Sequence, residues 1–240
     1  MTLPRKPSDV TVVLETRSVN AGYGEISVVR DLTMHVESGE IVALLGRNGA
    51  GKTTALLTLA GALRPLSGEL CFLGTSDRSS LAGRARRGLG LMTDDRSIFF
   101  SLTVRENLRL ARGTRDVRAL FPELERLLDQ SAGLLSGGEQ QMLGLATVLS
   151  RDPKLLLIDE LSFGLAPRIV QRLMKAVRAA ADSGTAVVLV EQFARLALDV
   201  ADRAYVLVNG RVDTEGRAQD LRDNLSEIES KYLGVDERRG

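Results

Sequence analysis

The sequence predicts an α/β fold, and three runs of residues carry that prediction. Ile41-Val42-Ala43-Leu44-Leu45 leads directly into Gly46-Arg47-Asn48-Gly49-Ala50-Gly51-Lys52-Thr53-Thr54, and a helical pattern follows from Ala55 to Leu63. Leu155-Leu156-Leu157-Ile158 ends in Asp159-Glu160, and Ala186 to Val190 ends in Glu191-Gln192. Runs that are apolar at every position suit strands covered on both faces, as in a parallel sheet.

Strand, glycine loop and helix follow in the order that phosphate binding requires. Glycines let the backbone curl so that successive N–H groups point inward, and the helix N-terminus adds partial positive charge. In such a loop Lys52 reaches the β- and γ-phosphates and the Thr53 hydroxyl sits on Mg²⁺. Asp159 and Glu160, at the end of a buried strand downstream, are placed for metal and water: Asp159 to bind Mg²⁺, Glu160 to polarise the attacking water. A solvated strand end is the bland alternative.

Composition narrows the possibilities. With 240 residues the chain can bury a substantial core. Net charge is +1, with acids and bases interspersed, so nothing predicts bulk attraction to nucleic acid. The lone cysteine, Cys71, cannot form an internal disulfide, and a reducing cytoplasm is the simplest setting. No apolar run approaches the roughly 18 residues of a membrane span. Any membrane role is therefore expected to come through a partner. Residues 1–8 and the polar tail from Asp236 are expected to be frayed.

In chain order, Val10 to Thr16 reads as a strand and Ala21-Gly22-Tyr23-Gly24 as a turn. Tyr23 can cap a sheet edge or stack on a nucleotide base; the phosphate loop downstream favours stacking. Ile26 to Val29 and Leu32 to Val36 read as two further strands, and Arg64-Pro65 as the stop of the first helix. Gly68 to Leu73 and Leu89 to Thr93 are strands, with a basic helix at Leu81 to Arg87. Asp94 follows a strand end, which in open parallel sheets faces the ligand crevice. Thr103-Val104-Arg105-Glu106 is a capping box, and the pattern is helical to Leu128 with breaks near Gly113 and Pro122.

Leu135-Ser136-Gly137-Gly138-Glu139-Gln140-Gln141 has capping-box spacing before an amphipathic helix. A cap alone does not call for two glycines in the first turn, where each costs helix stability. They make sense if a ligand approaches closely, as a second anion site. Pro167 suits the first turn of a helix that Gly184 ends, and Phe193 to Asp202 reads as another. Asn209-Gly210 marks a hairpin, and Leu221 to Leu233 a closing helix.

Taken together, the phosphate loop, the Leu-Ser-Gly-Gly-Glu-Gln stretch and the apolar strand ending in Asp-Glu resemble the ATP-binding cassette family, from about Val10 to Gly234. Gly-Gly-Glu-Gln-Gln-Met-Leu, Gly164-Leu165-Ala166-Pro167, Leu189-Val190-Glu191-Gln192 and Tyr232-Leu233-Gly234 are similar to its LivF branch, cytoplasmic ATPase subunits of bacterial branched-chain amino acid importers. The resemblance implies a single nucleotide-binding domain over 1–240. It would have a phosphate-loop core with a mixed sheet, an antiparallel β part, and a helical subdomain at about 80–150.

The resemblance also implies a mechanism. ATP would sit on Gly46, Arg47, Asn48, Gly49, Ala50, Gly51, Lys52, Thr53 and Thr54, with Tyr23 on the base. Thr53, Asp159 and Asp94 would serve Mg²⁺, and Glu160 and Gln192 the catalytic water. Two cassettes would pair head to tail, so that Leu135, Ser136, Gly137, Gly138, Glu139 and Gln140 of one act on the ATP of the other. Ser162 to Ala166 would lie across the seam. The second cassette would be the same chain or a LivG-like partner, and integral membrane permease subunits would hold the pair at the cytoplasmic face of the plasma membrane, docking near Asp94 to Arg105.

Some positions depart from the family pattern. Asp94 stands where the family has Gln, or Glu in this branch, so a water-mediated metal contact is expected there. Gln192 replaces the usual switch histidine and carries no titratable proton, and Leu161 replaces a proline. His35, the only histidine, matches no catalytic motif and reads as structural. The stretch between Arg112 and the Ser-Gly-Gly segment is shorter than in the branch. Besides a transporter ATPase, a soluble cassette ATPase and a nucleotide-binding regulator with little turnover remain open; the presence of Glu160 argues against the regulator.

Overall fold

The computed structural model describes residues 11–93, 97–117 and 119–226. The chain opens with two long antiparallel strands, β1 (Val12–Tyr23) and β2 (Ile26–Glu37), joined by a tight turn at Gly24. The expected strands Ile26–Val29 and Leu32–Val36 are one continuous element. Bulges take up the breaks in alternation: the β1–β2 register shifts between Thr16 and Val19 and again near Ala21, and Asp31 adopts φ 55°. β3 (Ile41–Leu45) then enters the glycine loop, and α1 (Lys52–Ala60) leaves it. Gly61, at φ 79°, closes α1 by donating to the Leu57 and Thr58 carbonyls, so the helix stops short of Arg64-Pro65.

Next come β4 (Ser67–Phe72), β5 (Thr75–Ser76), α2 (Leu81–Arg86) and β6 (Leu89–Met92). α3 (Val104–Leu110) starts at the expected Thr103–Glu106 capping box. The helical pattern expected to Leu128 is realised only in α3 and a 3₁₀ segment at Pro122–Leu127. Between them the backbone is drawn against the end of the next helix: a Cβ on Gly113 would lie 2.2 Å from the Ser150 carbonyl oxygen, and Arg115 N donates to that oxygen. A short 3₁₀ turn (Ala132–Leu134) precedes α4 (Gly137–Leu149), which also has a complete capping box.

The remaining elements are β7 (Leu155–Asp159), α5 (Pro167–Asp182), β8 (Ala186–Glu191), α6 (Ala194–Leu198), β9 (Arg203–Val208), β10 (Arg211–Arg217) and α7 (Ala218–Asp223). Asn209 and Gly210 take positive φ (49° and 80°) in the β9–β10 turn, as the Asn-Gly signal requires. α6 is shorter than expected, and the closing helix begins three residues early; its expected end lies outside the described residues.

Two sheets result. One is antiparallel, in the order β2-β1-β4-β5; the other runs β10-β9-β3-β8-β7-β6, parallel except for β10. Alternate residues of the parallel strands enter two separate cores, as strand geometry demands. Val42, Leu44, Leu157 and Val188 pack with Leu56 and Leu59 of α1 and with Leu14, Met34 and Phe72 of the antiparallel sheet. Ala43, Leu45, Leu156, Ile158 and Leu189 pack against α4 and α5, through Leu145, Leu149, Leu173 and Val177.

α1 is held at its far end by a buried cation. Arg84 of α2 donates to the Thr58 and Leu59 carbonyls at 3.0 and 2.6 Å, and its guanidinium lies 3.7 Å from buried Asp77. Loss of Arg84 would strip two buried carbonyls of a charged donor, at about 1.5–3 kcal/mol each, while Asp77 keeps Arg87 at 2.6 Å. Arg84→Ala is therefore expected to lower the unfolding free energy by about 3 kcal/mol, read as a lower urea midpoint; an unchanged midpoint would show that Arg84 does not secure α1.

Candidate functional site

The ends of three adjacent parallel strands meet at one edge. Leu45 of β3 pairs with Glu191 of β8, and Asp159 of β7 pairs with Val190 of β8. The glycine loop, Asp159-Glu160 and Glu191-Gln192 therefore emerge side by side, at the carboxyl ends of strands where open α/β sheets place ligands.

Backbone geometry explains the loop's glycines. Gly49 and Gly51 have φ 82° and 101°, left-handed values that side chains resist. A Cβ on Gly46 would lie 2.6 Å from the Leu207 carbonyl oxygen. Gly51 is the N-cap of α1 and offers no side-chain acceptor, and the first turn of α1 has no acidic residue. A nine-residue helix thus presents first-turn N–H groups that no side chain caps, which suits an anion.

Lys52 is buried and donates to the Gly46 and Arg47 carbonyls at 2.9 and 3.2 Å. Burial pushes its ammonium below the ordinary value, while Glu160, Asp159 and Glu191 oppose that shift. Its Nζ lies 3.9 Å from Glu160 Oε1. The next residue, Thr53, donates from Oγ1 to Asp159 Oδ2 at 3.2 Å. This hydroxyl and carboxylate are hard oxygen donors of the kind that hold Mg²⁺ together with substrate phosphates and water. Among the described residues there is no group of three or more His, Cys, Asp and Glu that could hold a metal.

Lys52, Thr53, Asp159 and Glu160 are thus brought together. Gln192 is exposed at the end of β8. Tyr23 is 53% exposed on the β1–β2 hairpin, opposite Ile26. That hairpin runs past the loop: a Cβ on Gly51 would meet Val29 Cγ2 at 3.1 Å. Asp94 lies outside the described residues.

Leu135 to Gln140 lie at the start of α4 rather than on these strand ends. Ser136 and Glu139 close the α4 capping box, and Gln140 donates to the Ala132 carbonyl. Ser136 and Gly137 are exposed. Gly138 has a reason internal to the fold: a Cβ there would meet the Ile169 side chain of α5 at 3.0–3.4 Å. Close helix packing therefore accounts for one of the two glycines without a ligand.

Sequence reasoning passed over Glu191. It is 1% exposed, and its carboxylate accepts from Ser162 N at 3.0 Å and Ser162 Oγ at 2.8 Å. A charged residue closing an otherwise apolar strand was the available signal. Burial raises its pKa to about 7; the Ser162 hydrogen bonds pull the other way, and Glu160 adds repulsion.

That shift makes a prediction about stability. Between the ordinary carboxylate value of 4.5 and about 7, the folded state holds a proton that the unfolded state has released. Stability from this group is therefore intact at low pH and falls as pH rises through that window. A rise of this size is worth about 3 kcal/mol. Glu191→Gln, which has no proton to lose, is expected to gain up to that much relative to wild type between pH 5 and 8, in urea unfolding at the two pH values. A constant difference would show that Glu191 ionises normally.

Comparison with known proteins places this geometry. The model of the ABC transporter family matches residues 29–162. The chain is 39% identical to the high-affinity branched-chain amino acid transport ATP-binding protein BraG of Pseudomonas aeruginosa, over 92% of this chain and all of the relative. It is 34% identical to the probable branched-chain amino acid transport ATP-binding protein LivF of Archaeoglobus fulgidus, over 93% and 99%. The lipopolysaccharide export ATP-binding protein LptB of Escherichia coli K12 is 33% identical over 94% and 98%. Among solved structures, the ATP-binding subunit of an ABC transporter superposes with a TM-score of 0.78 at 28% identity, over 92% of this chain and 99% of that one. An ATP-binding cassette in its ADP conformation shares the fold, with a TM-score of 0.80 at 23% identity over 93% and 99%. This chain belongs to the ABC transporter family, as one of its ATP-hydrolysing, ATP-binding subunits.

Proposed function

We propose that this chain drives an importer for branched-chain amino acids or a related small polar solute. The supporting observation is the end-to-end likeness to BraG. LptB is a more distant relative, and lipopolysaccharide export is the second reading. The chain would act at the cytoplasmic face of the plasma membrane through integral permease subunits, paired with a second cassette, either its own copy or a LivG-like chain. No helix among the described residues is long and apolar enough to cross a membrane, which fits a peripheral subunit.

The proposed chemistry follows the site from the loop outward. The backbone of Gly46 to Thr54 cradles the ATP phosphates, Lys52 leaves its loop carbonyls for the β- and γ-phosphates, and Tyr23 stacks on adenine. Thr53 and Asp159 would hold Mg²⁺, which when bound neutralises charge on the β- and γ-phosphates. Asp94 would assist through water. Glu160 orients and deprotonates the attacking water, and Gln192 hydrogen-bonds the γ-phosphate or that water. Leu135 to Gln140 of a partner cassette, chiefly Ser136, Gly137 and Gly138, would complete the site. The chain forms one nucleotide-binding domain over 1–240, with about 80–150 as the helical subdomain that meets the permease.

Glu160→Gln is expected to lower ATP turnover by about 100-fold or more with Mg²⁺-ATP binding intact. Turnover of the unmodified chain should rise steeply with its concentration if it pairs with itself. Retained turnover in the variant would remove Glu160 from its role. In cells lacking the chain, labelled leucine uptake should fall while surface lipopolysaccharide stays normal; the opposite pattern would favour the export reading.

A further inference from the structure

The catalytic edge contains a buried carboxylate that the proposed chemistry does not use. Both oxygens of Glu191 accept from Ser162, Oε1 from its backbone N–H and Oε2 from its hydroxyl, and the Gln192 backbone adds a further hydrogen bond. Ser162 lies two residues beyond Glu160, and Gln192 is the next residue after Glu191. One side chain therefore ties together the two strand ends from which Glu160 and Gln192 hang.

That tie acts where the backbone is strained. Glu160 adopts φ 45°, in the left-handed region that a non-glycine residue occupies only when its surroundings hold it there. Its N–H donates to the Val190 carbonyl at 3.0 Å, and Leu161 is fully buried. The Ser162–Glu191 pair is the third restraint, and the only one of the three made by a polar side chain. Beyond it the chain turns again, with Phe163 N donating to Glu160 O and Leu165 N to Ser162 O, both at 3.3 Å. Without the carboxylate, the buried Ser162 N–H would lose its acceptor, and the turn that aims Glu160 would lose a constraint.

We propose that Glu191 is a positioning residue for ATP hydrolysis: by gripping Ser162 with both oxygens, it fixes Glu160 and Gln192 in their working orientation. This rests on the reading of Glu160 as the base. A hydrogen-bonding role and a charge role make different demands. Gln at this position can still accept from Ser162 N–H and pair with Ser162 Oγ, but carries no charge.

The test compares Glu191→Ala, Glu191→Gln, Ser162→Ala and Glu160→Gln in the full chain, with its membrane subunits added if the isolated chain is inactive. Glu191→Ala is expected to lower kcat by about 100-fold, the scale of an ångström of misplacement. Its KM for ATP should stay within about twofold, because binding on the loop is untouched. Glu191→Gln should recover most of that loss, and Ser162→Ala, which keeps one of the two bonds, should fall between. If Glu191→Ala does not fold, the Ser162→Ala and Glu191→Gln results decide. Full activity of Ser162→Ala and Glu191→Ala beside an inactive Glu160→Gln would overturn the proposal. So would a Glu191→Gln protein with little activity, which would assign the role to charge. An active Glu160→Gln would instead sink the underlying assignment of the base.

Discussion

The parallel pairing of β3, β8 and β7 is the constraint on which the rest depends. These strands are covered on both faces, so their side chains are apolar up to the last residue, Asp159 in β7 and Glu191 in β8. Polar groups can enter only where a strand ends, and the registers Leu45 with Glu191 and Asp159 with Val190 bring those ends level. A slip of one residue would also exchange the two cores, because alternate side chains serve opposite faces. The same pattern that stabilises the sheet therefore fixes the distances between Lys52, Thr53, Asp159 and Glu160.

The cost of that placement is electrostatic. Lys52, Asp159 and Glu191 are all buried, and Glu160 is partly so, within one small volume. Burial disfavours the charged forms of Lys52 and Glu191, and Glu160 adds repulsion on Glu191. Lys52 offsets part of this, and Ser162 satisfies Glu191. The site is thus held by a few specific contacts around two groups, Lys52 and Glu191, whose burial opposes their charge. Compact rigidity comes from elsewhere: the two apolar cores, and the Arg84 contacts that fix the far end of α1.

What the sequence disclosed depended on how local the cause was. The glycine loop, both capping boxes, the Asn-Gly turn and Pro167 at the start of α5 are set by neighbours within a few residues, and all were legible. Buried parallel strands were legible for a related reason, since their apolar runs need no partner to be seen. The failures had distant causes. Gly113 and the chain after it are shaped by Ser150, and β1 and β2 stay continuous through bulges set by each other's register. Glu191 was named at a strand end but given no role, because its partner is 29 residues away. The second glycine of the Ser-Gly-Gly stretch pointed to a ligand in sequence, yet Ile169 of α5 already requires it to be small.

That last point bears on how Ser136 could serve a partner's nucleotide. Its hydroxyl donates to Glu139 Oε2 at 2.7 Å and accepts from Glu139 N, while Glu139 also takes the Ser136 N–H. The cap stabilises α4 by about 1 kcal/mol. A γ-phosphate approaching the exposed Ser136-Gly137 edge would compete with the Glu139 carboxylate for the same donors and would be repelled by it. On the proposed pairing, engagement would require Ser136 to exchange one acceptor for another, at the cost of the cap and of the repulsion from Glu139. The exchange replaces one charge-assisted bond with another, at a helix N-terminus that favours either anion.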